Sequence, residues 1–597
     1  ATSDDSPMVA TTRVHDAVRV GAGPQLKHLL AVFGGLGLSR AFHDYPFGDI
    51  PAPLEYTLIA SVAVIAFAIV RPTPRVTLPL SLLLLIWAMP VLYSLAPGST
   101  WAILTWFPLI LAAALLSALS PAFLLTVTGI TLFEYAGTLV ILKHEMMAAQ
   151  GSGSVPYFLG FVGVVGAFLW LGLAHAMRHS GLWSWAATVL ACVFAAGGAW
   201  MALASGSRAS VLGLLVGAGV STLAVLVRQR SRAGGMRRAV ILTTVVLLLV
   251  PVLDYCLTSF YAPGATSTMM PVLDQQSQAT QSELKGSSTG GSFGTRIEFW
   301  KQAWIALKAR PLGHGLGSYP HVNHHYQQKP MLWSGSPHNF VALTAVETGI
   351  PGLLALLTVM VLAAYRTFRW RPSLFGALSA SAAILSLDIF SSQPIQYLLW
   401  WAVLGAALAA RPAQRPPGRE SGTTSIRILV AALVLLSSAA AARFAVPCQA
   451  GCEPIERYAG LPRMLGGTLE ELQGAADPRW AEWERLYPFA FWLLQARAEA
   501  MAREGSLDGY MDLLERFPYQ SADTYVRVAS ELTDRQQAGL VAACGLERIF
   551  SGETIWLDQR SSLEHLDEAR LSLEALAAEV NAQDATSPCL HMAGSNE

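Results

Sequence analysis

Three side chains stand where the surrounding sequence makes them costly to place. Arg208 heads an apolar run, after the small-residue stretch Ser205–Ser207. Arg296 opens a segment that also carries Glu298, Trp300 and Trp304. His338 lies in Ser336-Pro337-His338-Asn339-Phe340, directly before another apolar run. Ionisable groups beside membrane-length apolar segments are functional candidates by default, because charge is expensive to bury in hydrocarbon. Arginine offers a permanently charged, planar fork of donors that matches phosphate oxygens, so arginines gathered on one face point to an anionic ligand such as a pyrophosphate. Arg40 (with His43, Asp44 and Asp49), Arg310, and the group Asp388, Gln393 and Gln396 share the same kind of setting. A structural alternative stays open for each arginine: pairing with Asp44, Asp49, Glu298 or Asp388, or contact with lipid headgroups.

The elements that must hold these residues are membrane helices. The chain has 597 residues, of which 53% are hydrophobic and 13% charged, with a mean hydropathy of +0.43. A soluble enzyme of this length would carry about twice that charge fraction. Net charge is zero, so it says nothing about partners, and no nucleic-acid partner is expected. A span needs about twenty apolar residues, and thirteen segments qualify: roughly 27–42, 55–70, 77–95, 101–119, 121–142, 156–177, 183–203, 208–228, 238–258, 339–364, 374–392, 395–410 and 427–446. Residues 1–25 are polar, with no hydrophobic signal-peptide centre, so the first apolar segment is expected to act as an uncleaved anchor.

Orientation follows from Lys and Arg in short loops. Arg71–Arg75, Arg178, Arg228–Arg238, Arg366–Arg371 and Arg411–Arg427 all fall on one side of a thirteen-span bundle. That side is expected to be cytoplasmic. The expected organisation is then a cytoplasmic tail over 1–26, a transmembrane domain over 27–446 with a long outer loop at 259–338, and an outer domain over 447–597. Arg40, Arg208, Arg296 and His338 would share the outer face.

The composition of 447–597 shifts to Glu, Arg and Asp with aromatics such as Trp480, Trp483 and Trp492. Phe489–Arg503, Ser506–Arg516 and Leu563–Val580 repeat apolar residues at helical spacing. These features predict a small all-helical domain of stacked helix pairs, without a clean 34-residue repeat. Cys448, Cys452, Cys544 and Cys589 suit disulfides if the domain faces an oxidising compartment, and unlinked thiols otherwise. Tyr261–Gly294 is rich in Ser, Thr, Gly and Gln and reads as a mobile part of the outer loop.

The most informative run follows that stretch. It comprises Arg296, Trp300 and Trp304, then Arg310-Pro311-Leu312-Gly313-His314-Gly315-Leu316-Gly317, then Pro337-His338-Asn339, then Glu347, Gly349 and Gly352. Arg296, Trp300 and Trp304 share a helix face, as in an amphipathic helix lying on a membrane. The glycine triplet is no dinucleotide loop, since no strand–helix unit surrounds it. His314, His321, His324 and His325 read as surface histidines, with pH-sensitive residues or a stray metal site as alternatives.

This run resembles the signature of the O-antigen ligase superfamily, which holds lipopolysaccharide O-antigen ligases, Wzy-type polymerases and bacterial protein O-oligosaccharyltransferases. The resemblance implies an all-α polytopic membrane protein of the GT-C glycosyltransferase type, here with a C-terminal helical soluble domain. It implies a cofactor-free, metal-independent transfer, and no Asp-x-Asp motif stands on the expected outer face. The implied donor is an undecaprenyl-pyrophosphate-linked glycan, and the acceptor is lipid A–core, another glycan or a protein Ser/Thr. His338 matches the family histidine that activates the acceptor hydroxyl. Arg208 and Arg296, with Arg40 as a further match, correspond to arginines that hold the donor pyrophosphate. Asn339, Glu347, Gly313, Gly315 and Gly317 are supporting positions. The thirteenth span and outer domain depart from a simple ligase and lean toward the oligosaccharyltransferase member. A polymerase is the alternative within the superfamily, and a lipid-linked-glycan transporter the alternative outside it. The expected location is the bacterial inner membrane.

Overall fold

The computed structural model describes residues 28–36, 54–70, 74–149, 155–177, 181–229, 233–262, 265, 267–271, 292–328, 333–387, 394–410, 423–444, 474, 476–519, 522–550, 561–578 and 589. Every regular element among them is helical. The helices of the apolar part are α1 (28–36), α2 (Leu54–Val70), α3 (Pro74–Ala88), α4 (Pro97–Leu104), α5 (Phe107–Leu119), α6 (Ala122–Ala149), α7 (Val155–Ala176), α8 (Leu182–Ala204), α9 (Arg208–Gln229) and α10 (Ala233–Tyr261). They continue as α11 (Ser292–Ala309), α12 (Tyr319–His325), α13 (Phe340–Trp370), α14 (Pro372–Leu385), α15 (Pro394–Ala409) and α16 (Thr423–Phe444).

Eight described segments are long and apolar enough to cross a membrane, and three shorter apolar helices accompany them. The chain is thus a polytopic membrane protein. Large apolar side chains stay exposed along the outer surfaces of these helices, among them Leu215, Leu248, Val361 and Leu435, as expected where the surrounding solvent is hydrocarbon. The structure departs from the sequence reading at the fourth apolar segment, which is two helices, α4 and α5, broken around Thr105 and Trp106. The Thr105 hydroxyl turns back onto the Ala102 carbonyl at 2.6 Å, while Pro108 near the start of α5 lacks the amide that a continuous helix would use.

Described arginines that border the arginine-rich loops lie at one end of the bundle. Arg366 donates to the carbonyls of Arg75 and Leu408, Arg238 to those of Ala174 and Met177, and Ser221 to that of Pro372. The site residues lie at the other end, where α9 and α14 set their positions. These helices run antiparallel and pack closely because Gly213 and Gly217 carry no side chain. A Cβ on Gly213 would lie 2.6 Å from Ile384, and one on Gly217 would lie 2.8 Å from the Gly376 carbonyl. With Gly213 level with Ile384, Arg208 at the head of α9 comes level with the residues that follow α14.

The described residues between 474 and 578 form a second helical assembly: α17 (Arg479–Leu486), α18 (Phe491–Arg503), α19 (Asp508–Arg516), α20 (Ala522–Glu531), α21 (Arg535–Gly545) and α22 (Ser561–Ala578). Neighbours in sequence pack on one another around a core of Tyr510, Leu513, Tyr525, Val528 and Leu573. Cys544 is disulfide-bonded to Cys589, while Cys448 and Cys452 lie outside the described residues.

Candidate functional site

The site is assembled where α11, the turn before α13 and the end of α14 meet. On α11, Arg296, Phe299 and Trp300 occupy adjacent positions of one face. Trp300 donates its indole N–H to the Pro337 carbonyl at 3.0 Å. Phe299 stacks on the imidazole of His338, with centroids 5.9 Å apart and planes inclined by 13°. Arg296 reaches past them and donates to the carbonyl of Leu387, just beyond α14. Asn339 anchors the same place from the other side: its amide donates to the carbonyl of Ser386 at 3.1 Å, and its Oδ1 accepts from the backbone N–H of Ala342 at 3.0 Å, capping α13. Consecutive carbonyls at the end of α14 thereby hold Arg296 and the neighbour of His338 together.

His338 adopts φ +50°, a left-handed backbone and the one such non-glycine among the described residues. Such a conformation costs of order 1–3 kcal/mol and persists where surrounding contacts enforce it. Here those contacts are the Trp300 bond, the Asn339 cap and the Ser336 hydroxyl, which accepts from the His338 N–H at 3.3 Å. Nδ1 of His338 is buried with no hydrogen-bond partner, so Nε2 is the ring nitrogen left on the accessible side. Burial first, and the Arg296 charge second, push the imidazole down to about pKa 4. It is therefore neutral at neutral pH.

The glycine loop is a mount for α13. All three glycines have positive φ, +94° at Gly313, +111° at Gly315 and +69° at Gly317. The loop is sewn to α13 by backbone bonds from His314 to Val346, Gly315 to Glu347 and Ile350 to Pro311, each 2.9 Å. At Gly349 (φ +68°) and Pro351 the helix kinks, and there the two backbones touch: a Cβ on Gly349 would lie 2.3 Å from Leu312. The Glu347 carboxyl accepts from the backbone N–H groups of Gly317 and Tyr319. Arg310 is committed elsewhere, donating to the Tyr93 carbonyl at 2.9 Å and lying over its ring.

Arg208 is exposed at the head of α9, at the same end of the bundle as Arg296 and His338. Arg40, with His43, Asp44, Asp49 and Asp388, lies outside the described residues. Phe299 and the carbonyls of Ser386 and Leu387 were not read from the sequence. Phe299, Ala303, Ala306 and Leu307 of α11 are buried, so one face of this helix docks on protein while Trp304 stays exposed. The histidines of the loop are not surface residues: His314, His321 and His324 are buried. Among the described residues no three His, Cys, Asp or Glu side chains gather as a metal-ligand group.

Residues 190–357 match the family model described as O-antigen ligase. The matched stretch runs from α8 past the kink of α13 and contains Arg208, Arg296, the three loop glycines, His338, Asn339 and Glu347. The chain is similar to the O-antigen ligase superfamily over the part that builds the site, and this agrees with the resemblance in its sequence. Members of that family are ligases and polymerases acting on glycans, which implies lipid-linked glycan substrates in general. No curated protein matches the chain.

Proposed function

We propose that the protein transfers a glycan from an undecaprenyl-pyrophosphate carrier to an acceptor hydroxyl at the outer face of the inner membrane. The observation that carries this reading is the arrangement at His338: a neutral, half-buried imidazole, held in a strained turn, beside a guanidinium fixed by one bond to a backbone carbonyl. In this reading Arg208 and Arg296 take the pyrophosphate, and Arg40 joins them. The acceptor oxygen attacks the anomeric carbon, and the bond from that carbon to the pyrophosphate oxygen breaks, its electron pair leaving with the phosphate. A single displacement of this kind inverts the anomeric centre. The arginines stabilise the charge that grows on the leaving group, and the hydroxyl proton passes to Nε2 of His338.

The thirteen-span topology, with the arginine-rich end in the cytoplasm and the 447–597 domain outside, belongs to the same proposal. The Cys544–Cys589 disulfide supports it, because disulfides persist in oxidising compartments. The outer helical assembly favours a protein acceptor, as in an O-oligosaccharyltransferase, with a polymerase as the second reading. The test is incubation of the purified protein with a lipid-linked glycan and, separately, a protein rich in Ser and Thr, lipid A–core, and a second lipid-linked glycan. Glycosylated protein supports the main reading, a lengthened lipid-linked chain the polymerase, and a glycosylated core a ligase. Movement of the lipid-linked glycan across a vesicle membrane without transfer would favour a transporter.

A further inference from the structure

The C-terminal helical assembly touches the site's scaffold through α12. Phe489 packs into an apolar cluster made by Ala303 of α11, Tyr319 and Val322 of α12, and Val346 of α13. It also stacks on His325, with centroids 4.1 Å apart. Phe491 stacks on one side of the contact network at His324, at 5.3 Å, and Trp333 stacks on the same imidazole at 4.8 Å. Gln327 donates to the Tyr519 carbonyl at 3.2 Å. The two histidine stacks and the Gln327 bond therefore hold α12 and the residues just after it against the assembly.

From α12 a chain of hydrogen bonds leads to His338. Asn323, 1% exposed, donates to Gln302 of α11 at 2.5 Å and to the Tyr319 hydroxyl at 3.2 Å. Its Oδ1 accepts from the backbone N–H of Ser334 at 2.9 Å. The Ser334 hydroxyl donates to the Ser336 carbonyl at 2.7 Å, and the Ser336 hydroxyl accepts from the His338 N–H. Trp333, next to Ser334, donates its indole N–H to the Pro320 carbonyl at 3.0 Å. Asn323 thus bonds both the arginine-bearing helix and the root of the histidine turn, beside the direct bond from Trp300 to Pro337. A buried amide with its donors and its acceptor all engaged is rigid, and losing it strands partners on both sides.

We propose that Asn323 is a positioning residue for His338, and that the C-terminal helical assembly secures it by clamping α12. The role in catalysis rests on the glycosyl-transfer reading above, but the positioning itself does not.

The test therefore has two arms on the full-length protein. In the first, His338 is labelled with diethyl pyrocarbonate and its rate of modification followed by peptide mapping. Asn323→Leu and Phe489→Ala are expected to raise that rate severalfold. Asn323→Asp keeps the shape and the acceptor for Ser334 and is expected to raise the rate less than Asn323→Leu does. In the second arm, Asn323→Leu is expected to lower kcat of glycan transfer about tenfold or more while KM for the donor holds, with Asn323→Asp restoring part of the rate. An unchanged modification rate at His338 in Asn323→Leu overturns the proposal whatever the activity does. If Asn323→Leu fails to fold, an unchanged rate in Phe489→Ala overturns the clamp. Absence of transfer by the unaltered protein sinks the glycosyl-transfer reading alone, because the labelling arm still decides the positioning.

Discussion

Phe299 and His338 lie nearly parallel, 13° apart in plane and 5.9 Å between centroids, and the residue one turn before Phe299 is Arg296. The imidazole is thus covered on one face by an apolar ring and neighboured by a cation. Both effects disfavour its protonation, and burial is the larger.

This arrangement sets a pH dependence. With a pKa lowered to about 4, the neutral imidazole persists through the neutral range, and base function is lost only as pH falls toward 4. Transfer should be flat from about pH 6 to 8, well above the acid limb, whereas an unperturbed histidine near 6.5 would already titrate there. Arg296→Gln removes the positive neighbour, raises the pKa and moves the acid limb upward. A pH–kcat profile of both proteins checks this. An acid limb that stays in place in Arg296→Gln would separate His338 from proton transfer and leave it to orient the acceptor.

Arg208→Lys keeps the charge and loses the fork. If Arg208 meets the pyrophosphate, kcat/KM should fall roughly ten- to a hundredfold, in line with the loss of a preorganised donor. Steady-state kinetics with the lipid-linked donor measure it, and an unaltered rate and affinity would remove Arg208 from the donor site.

Gly349→Ala tests the mount of α13. The new methyl would lie 2.3 Å from the Leu312 backbone at φ +68°. The expected cost is about 1–3 kcal/mol, read as a lower melting temperature in detergent. Ala at Gly219, where nothing lies within 4 Å, should be tolerated.

Cys544→Ser opens a loop closed across 45 residues of sequence. The loss should be about 2–4 kcal/mol, confined to the C-terminal assembly, with the same loss in the unaltered protein under reductant. Equal melting with and without reductant would contradict it.

Much of the site was legible because its residues carry their chemistry in their type. An arginine, a Pro-His-Asn turn and glycines that need positive φ each announce themselves, and all fall within the matched stretch. The helical class followed from apolar runs of membrane length. What was not legible came from distant chain. Phe489 and Phe491 cover His325 and His324 from more than 160 positions away, so those histidines looked solvent-exposed. The carbonyls of Ser386 and Leu387, which hold Asn339 and Arg296, have no side-chain signature at all. The break between α4 and α5 hides inside an unbroken apolar stretch, where hydropathy is blind to backbone geometry. Arg40 and the ends of several loops lie outside the described residues.

The most direct measurement is single-turnover transfer by His338→Ala, made alongside donor binding in the same membrane preparation. Transfer should fall by at least about a hundredfold, with the lipid-linked glycan still bound. Near-normal turnover by that variant would contradict this.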